Sequence, residues 1–325
     1  CLNSETAGTI TVHDAAGNLA HDGTTPNNGA NPSSGAIAVI FSPGAVITRQ
    51  GAASGQDRSC TGDSNVTLCQ QTNVCTGPTY SATALCHPVN YLDVVGPPVL
   101  TVADATAGRE DNADFVDGPI QKDNGFVMGP IWDHSVSSDD NQRVVVNDTL
   151  IVIKYSDLMP RLERRVAQQA LACLEAYAAA NGGRYPWAAA VTADYTGPLL
   201  DQDLNSFGRF ADSQLPPALP ATSGYASMSD SWPVGPCPMA TATAPDVWWA
   251  NWKNLMLYRI APGYAPDAAA VGCPTCLAVT GLAAASNQRV VVIVAGRSLP
   301  GQVRGVGAGP AQYLQAPNAA GGTPF

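Results

Sequence analysis

A chain of 325 residues with 26 acidic and 16 basic side chains, only three of them lysine, has a formal net charge of −10. It has no basic cluster, which makes nucleic acid and anionic membrane surfaces poor partners. Charged residues make up 13%, against roughly a quarter in ordinary soluble domains, while Gly (31) and Pro (26) are abundant. This is the composition of a loop-rich secreted protein, and of one that packs against copies of itself, because each charge buried in a contact needs a partner. The longest apolar runs, such as VVVIVAG (Val290–Gly296), fall well short of a membrane span.

The sequence opens on Cys1 with no signal peptide ahead of it. Cys1 reads as a lipid-modified mature terminus or, by preference, as the point where the visible chain begins within a longer one. The histidines are His13, His21, His87 and His134. The pairs His13-Asp14, His21-Asp22 and Asp133-His134 put neighbours on opposite faces of an extended chain, so they read as solvated loop pairs. No H-E-x-x-H, G-x-S-x-G or phosphate-cradling glycine loop accompanies them. No catalytic residue is assigned and the chain is not read as an enzyme. A secreted hydrolase using His87 or His134 ranks last, for want of a nucleophile, base and orienter together.

Ala36–Phe41 is rich in apolar and β-branched residues and predicts a strand. Beyond it, Cys60, Cys69, Cys75 and Cys86 sit among Gly, Thr, Ser and Asn, the pattern of a loop stapled by disulfides. The paired C-x2-C knuckles of a zinc ribbon are missing from this stretch. Nine cysteines point to an oxidising, extracytoplasmic setting, and an odd number leaves one thiol over. Arg143–Tyr155 predicts more strand, with Asn147-Asp148 placed to turn a hairpin between VVV and TLIVIKY.

Next comes the clearest helix, Pro160 to Ala180, with Ser156 or Asp157 as its cap, Pro160 in its first turn and Asn181-Gly182-Gly183 as its stop. Met159, Leu162, Val166, Ala170, Cys173, Leu174 and Tyr177 form one stripe, and Arg161, Arg164, Arg165, Gln168 and Glu175 lie opposite. Cys173, in mid-stripe, predicts a buried, unpaired thiol.

Residues 183–247 are dense in Pro, Gly, Ser and Thr and read as irregular connections. Within them DQDLNSFGRFAD spaces Asp201, Asp203, Asn205 and Asp212 as positions 1, 3, 5 and 12 of a calcium loop. Ser206 stands where such a loop has Gly, and Asp212 where it has Glu, so a solvated acidic turn is the alternative and no other cofactor is read. DVWWANWKNLMLYRI (Asp246–Ile260) predicts a helix capped by Asp246 with Trp248, Trp252, Leu255 and Met256 on one face. Its tryptophans read as core, the alternative being a glycan-binding platform of Trp248, Trp249 and Trp252. Cys273-Pro-Thr-Cys276 reads as a structural disulfide in a Gly/Pro loop, and Arg289–Ala295 as a strand.

NQRVVV occurs at Asn141–Val146 and again at Asn287–Val292, but its surroundings differ completely, so it marks two ordinary strand starts. A looser pattern recurs in order. AVIFSPG (Ala38–Gly44), GQDR (Gly55–Arg58) and NYL (Asn90–Leu92) are matched by VVIVAG (Val291–Gly296), GQVR (Gly301–Arg304) and QYL (Gln312–Leu314). This order predicts an internal duplication whose first copy carries the cysteine-rich segment (59–90) as an insertion. The Gln and Arg of each copy are expected to bond carbonyls of a nearby loop.

QQALACLEAYAAANGGRYPW (Gln168–Trp187) resembles a stretch of the bacterial type IV pilin and pseudopilin family, in which a helix carrying A-L-x-x-Y runs into N-G-x-Y-P. The matching residues are Ala170 or Ala172, Leu174, Tyr177, Asn181, Gly182 or Gly183, Tyr185 and Pro186. The strand, Gly-Gln-x-Arg and Tyr313-Leu-x-x-x-Asn318 order also resembles prepilin-type surface proteins. The resemblance implies a structural or accessory component of an extracellular filament, with copies of itself or other subunits as partners. It also implies that the family's N-terminal apolar helix lies ahead of Cys1 or has been lost. The expected fold is α+β, with antiparallel sheets packed around the 160–180 helix. It is expected in two lobes: 1–140, β-rich with the insertion, and 141–325, with the helix and a C-terminal β module.

Overall fold

The computed structural model describes residues 2–14, 18–23, 35–45, 125–129, 131–133, 143–192, 205–211, 228–229, 231–239, 247–274, 276–279 and 287–315. They divide into two units. The described residues up to Thr6 and from Ser156 onward form the main unit, and those between Ala7 and Tyr155 form an inserted unit. Disulfides, helix and mostly antiparallel sheets make up the architecture.

The described residues of the inserted unit form seven short strands: β1 (Thr11–His13), β2 (Leu19–His21), β3 (Ala38–Ser42), β4 (Gly125–Val127), β5 (Ile131–Asp133), β6 (Arg143–Val146) and β7 (Thr149–Ile153). β3 and β7 pair in unbroken antiparallel register from Ala38↔Ile153 to Ser42↔Thr149. Alternation sends Phe41, Val39, Leu150 and Val152 into a core with Val12, Ala36 and Phe126. The rings of Phe41 and Phe126 meet edge-on at 4.7 Å. Ile40 and Ile151, directly opposite each other, are left on the exposed face. β1 takes β2 antiparallel and β4 in parallel, an exception to the antiparallel expectation. The long stretch of chain between β1 and β4 supplies the crossover that a parallel pair needs.

The inserted unit runs to Tyr155, because β7 returns to β3. Asn147-Asp148 is not a hairpin turn: β6 pairs with β5 and β7 with β3. Asp148 is buried, and the Asn147 side chain donates to the Ala45 carbonyl at 2.9 Å. The two residues therefore serve as a junction between sheets. Of the two copies of the looser repeat, Gly55–Arg58 and Asn90–Leu92 lie outside the described residues, as do Cys60, Cys69, Cys75 and Cys86.

The main unit begins its regular structure with α1 (Tyr155–Ala180), which buries Met159, Val166, Ala170, Cys173, Leu174, Tyr177 and Ala178. It starts ahead of the expected first turn and so carries Pro160 inside it. Proline has no N–H for the carbonyl four residues back, but that carbonyl belongs to exposed Ser156, where it is open to solvent. At the other end the Gly183 N–H reaches back to the Ala178 carbonyl at 2.7 Å, with Gly182 at φ +63° between them. This is the six-to-one closure that ends helices at glycine, since a side chain at positive φ is strained. Asn181, buried, donates to the Tyr177 carbonyl and accepts the Ser229 N–H.

A three-stranded antiparallel sheet runs in the order β10 (Val290–Val294), β9 (Met256–Ile260), β8 (Phe207–Arg209). The expected helix over the tryptophan segment stops early. α2 covers only Val247–Trp252, a 3₁₀ turn follows at Lys253–Leu255, and Met256–Ile260 becomes the central strand. MLYRI suits either state locally, and strands on both sides decide in favour of β. Between helix and sheet Phe210 gathers aromatic rings, with Tyr258 at 4.6 Å, Trp249 at 5.7 Å and Trp232 at 6.1 Å. Tyr177 of α1 joins through Trp232 at 5.7 Å.

Cys173 is not a free thiol: it forms a disulfide with Cys237. The irregular stretch 231–239 lays buried Trp232, Cys237 and Met239 over the helix, an approach that local periodicity does not encode. The bond closes a loop of 64 residues. Replacing both cysteines by serine should cost about 4 kcal/mol, read as a lower urea midpoint with the fold retained.

Candidate functional site

Two clusters of polar side chains stand out in the main unit, and both lie where the sequence pattern is most specific. The first follows β10. Gly301, at φ +85°, begins the Gly-Gln-Val-Arg turn. Gln302 accepts the Leu299 N–H at 2.9 Å and donates to the Ala311 carbonyl at 3.0 Å. Arg304 donates from Nε to the Gln312 carbonyl at 3.0 Å and pairs through Nη1 with the Glu5 carboxylate. The Gln and Arg therefore hold the loop that bears Tyr313 and Leu314, the role expected of them.

Tyr313 is buried with two guanidinium groups over its ring, Arg209 Cζ 4.4 Å and Arg304 Cζ 5.5 Å from the ring centre. A ring face attracts cations, so the stack fixes all three side chains. The Tyr313 hydroxyl accepts the Gly305 N–H at 3.1 Å and donates to the Gly305 carbonyl at 3.2 Å. Arg209, buried on β8, donates to the carbonyls of Val191 and Asn254. Below this stack Tyr313 and Leu314 pack on Val191, Leu255, Leu257 and Ala295.

The N-terminal segment is fastened to the same corner. Glu5 accepts from the Ser298 hydroxyl at 2.9 Å as well as from Arg304, and Arg297 donates to the Thr6 carbonyl. Asn3 donates to the Asn251 carbonyl, and buried Ser4 donates to Glu163 of α1 at 2.6 Å. Beside the stack lies an open groove of about 300 Å³, lined among others by Ile293, Arg297, Gln302, Arg304 and Tyr313.

The second cluster is at the end of α1. The Tyr185 hydroxyl donates to Glu175 at 2.7 Å, and Arg289 pairs with the same carboxylate at 3.1 Å. Burial, and then the hydrogen bond to Glu175, push the Tyr185 hydroxyl above the ordinary tyrosine range. Arg289 also lies over the Tyr264 ring, and the Tyr185 N–H bonds the Tyr264 carbonyl.

Asp201, Asp203 and Asp212 lie outside the described residues, and the Asn205 backbone carbonyl accepts the Ala188 N–H. Among the described residues no three His, Cys, Asp or Glu side chains gather as for a metal. His13 and His21 sit on adjacent strands out of register, and His87 and His134 lie outside the described residues. Trp249 and Trp252 are buried, which removes two indoles of the three from any sugar-stacking surface. Cys273 and Cys276 form a disulfide, as expected from their Gly/Pro loop. Arg209 and Glu5 were missed because nothing near them in sequence marks them. No protein-family model, curated protein or solved structure matches this chain.

Tyr313→Phe keeps the cation stack and loses both Gly305 bonds, so it should cost about 1–2 kcal/mol, while Tyr313→Leu should cost more; chemical denaturation of both variants checks the order. A second expectation concerns alkaline pH. With its folded pKa raised, Tyr185 contributes stability in full below the ordinary tyrosine value of about 10. Above that pH the unfolded chain ionises first and the contribution falls. Tyr185→Phe should therefore show a shallower loss of stability between about pH 9.5 and 11 than the parent chain in parallel melts.

Proposed function

We propose that the chain is a pilin-like structural subunit, or an accessory component, of a bacterial extracellular filament. One observation carries this reading. The residues that bear the resemblance are spent on a structural joint. Leu174 and Tyr177 are buried on α1, Asn181 and Gly182 end the helix, and Tyr185 and Pro186 are buried as the chain turns back. A motif used in this way fits a scaffold element, because its side chains address their own backbone.

The same reading accounts for the rest. The disulfides suit an oxidising compartment, hence an extracellular or cell-surface setting. Among the described residues no helix is long and apolar enough to cross a membrane. The two copies of strand, Gly-Gln-x-Arg and Tyr-Leu are read as a duplicated module, in which the Arg304–Tyr313 corner shows what the motif is for. The first copy is read as the one opened by the cysteine-rich insertion.

The test is recovery from the native cells. Filaments sheared from the surface should contain peptides of this chain, including the Arg165–Arg184 region, at a constant ratio to the other subunits. Peptides found only in the soluble cell fraction, with none in the sheared material, would sink the proposal.

A further inference from the structure

We infer that the outer edge of β10 is an interaction surface whose occupant is β10 of a second copy of this chain, added as an antiparallel strand. The inference deepens the subunit reading, on which it rests for its setting, by naming where two copies meet.

The direction of the backbone bonds comes first. The Ala261 N–H bonds the Arg289 carbonyl at 2.8 Å, and the Ala295 N–H bonds the Leu255 carbonyl at 2.7 Å. In an antiparallel ladder alternate residues address the same neighbour. Arg289, Val291, Ile293 and Ala295 therefore face β9, while Val290, Val292 and Val294 present their N–H and C=O groups outward. Among the described residues nothing hydrogen-bonds these three on that side.

The opposite edge of the same sheet is treated differently. Ala189 exchanges both backbone bonds with Arg209 of β8, and Ala188 bonds Asn205, so that edge is covered. Gly208 permits the cover, since a side chain there would meet the Ala189 carbonyl. On the β10 side the cover, among the described residues, is confined to the ends. Leu277 bridges Gln288 before the strand, and the loop carrying Arg297–Arg304 borders the groove after it. Between them is a slot of five residues, an ordinary strand length.

The slot carries none of the usual guards of a free edge. Val290–Val294 contains no charge and no proline, and its register with β9 is unbroken by a bulge. It is also complementary to itself. A two-fold axis through Val292 sets Val290 against the partner copy's Val294, so all three outward residues bond reciprocally. In that register Arg289 falls opposite Ala295, and Arg297 opposite Asn287, so no two cations meet.

The experiment is sedimentation and amide exchange of the full chain across a concentration series. The parent should shift from monomer to dimer, with exchange at Val290, Val292 and Val294 slowing in step. Val292→Pro removes an outward N–H without touching the bonds to β9. It should weaken association at least about tenfold with its circular dichroism unchanged. Val294→Lys, a charge in the slot, serves if the proline variant fails to fold, and should weaken association likewise. Ile40→Lys, on the exposed face of β3, should leave association as it was. A monomeric parent with these amides exchanging freely overturns the inference, as does association that either slot variant leaves intact or that only Ile40→Lys abolishes. Should the chain nonetheless be recovered in sheared filaments, the subunit reading stands without the β10 contact.

Discussion

Buried backbone that is neither helix nor sheet has to find hydrogen-bond partners outside itself, and this constraint organises the main unit. Its helix and its sheet are joined by irregular segments whose carbonyls would otherwise be stranded. Large amphipathic side chains answer them one at a time. Tyr177 takes Ser229, Tyr258 takes Pro186 and Trp187, Trp232 takes Ala211, and Arg209 takes Val191 and Asn254. Each of these side chains also fills the core, so apolar burial and polar satisfaction are met by the same residue. An unmet buried carbonyl costs more than a made bond gains. The aromatic residues are thus set by the loops they serve as much as by the volume they fill.

What could be read from the sequence follows from the range of the forces involved. The stripe on α1, its glycine stop and the strand character of Ala38–Ser42 and Val290–Val294 are local, and they are legible from spacing alone. The partners of those elements are not local. Nothing near Cys173 points to Cys237, and nothing in VVV or TLIVI says that β6 and β7 belong to different sheets. MLYRI could continue a helix until β10 and β8 claim it from either side. At the candidate site the Gly-Gln-Val-Arg and Tyr-Leu motifs were visible, and so was their bonding of carbonyls. Arg209 was not, because its place under Tyr313 depends on β8 lying beside the corner.

The corner explains why those two short motifs travel together. Gln302 and Arg304 each bond backbone within the 311–312 stretch, and Tyr313 returns two bonds to Gly305. Each half bonds the other, so the pair acts as one latch across a loop. Proline at 310 and glycine at 301 set its two bends. In a chain with only 16 basic residues, three arginines lie at this corner and in its approach.

The fastening of residues 2–6 has a mechanical consequence. Among the described residues the chain leaves the main unit after Thr6 and re-enters it at Ser156, so the inserted unit is a side loop in the path of the polypeptide. Tension applied at the N-terminal end meets the Glu5–Arg304 ion pair, the Ser4–Glu163 bond and the Arg297–Thr6 bond before it reaches the inserted unit. A pull is therefore passed straight to α1 and the β10 corner, and the inserted unit stays slack while the anchor holds.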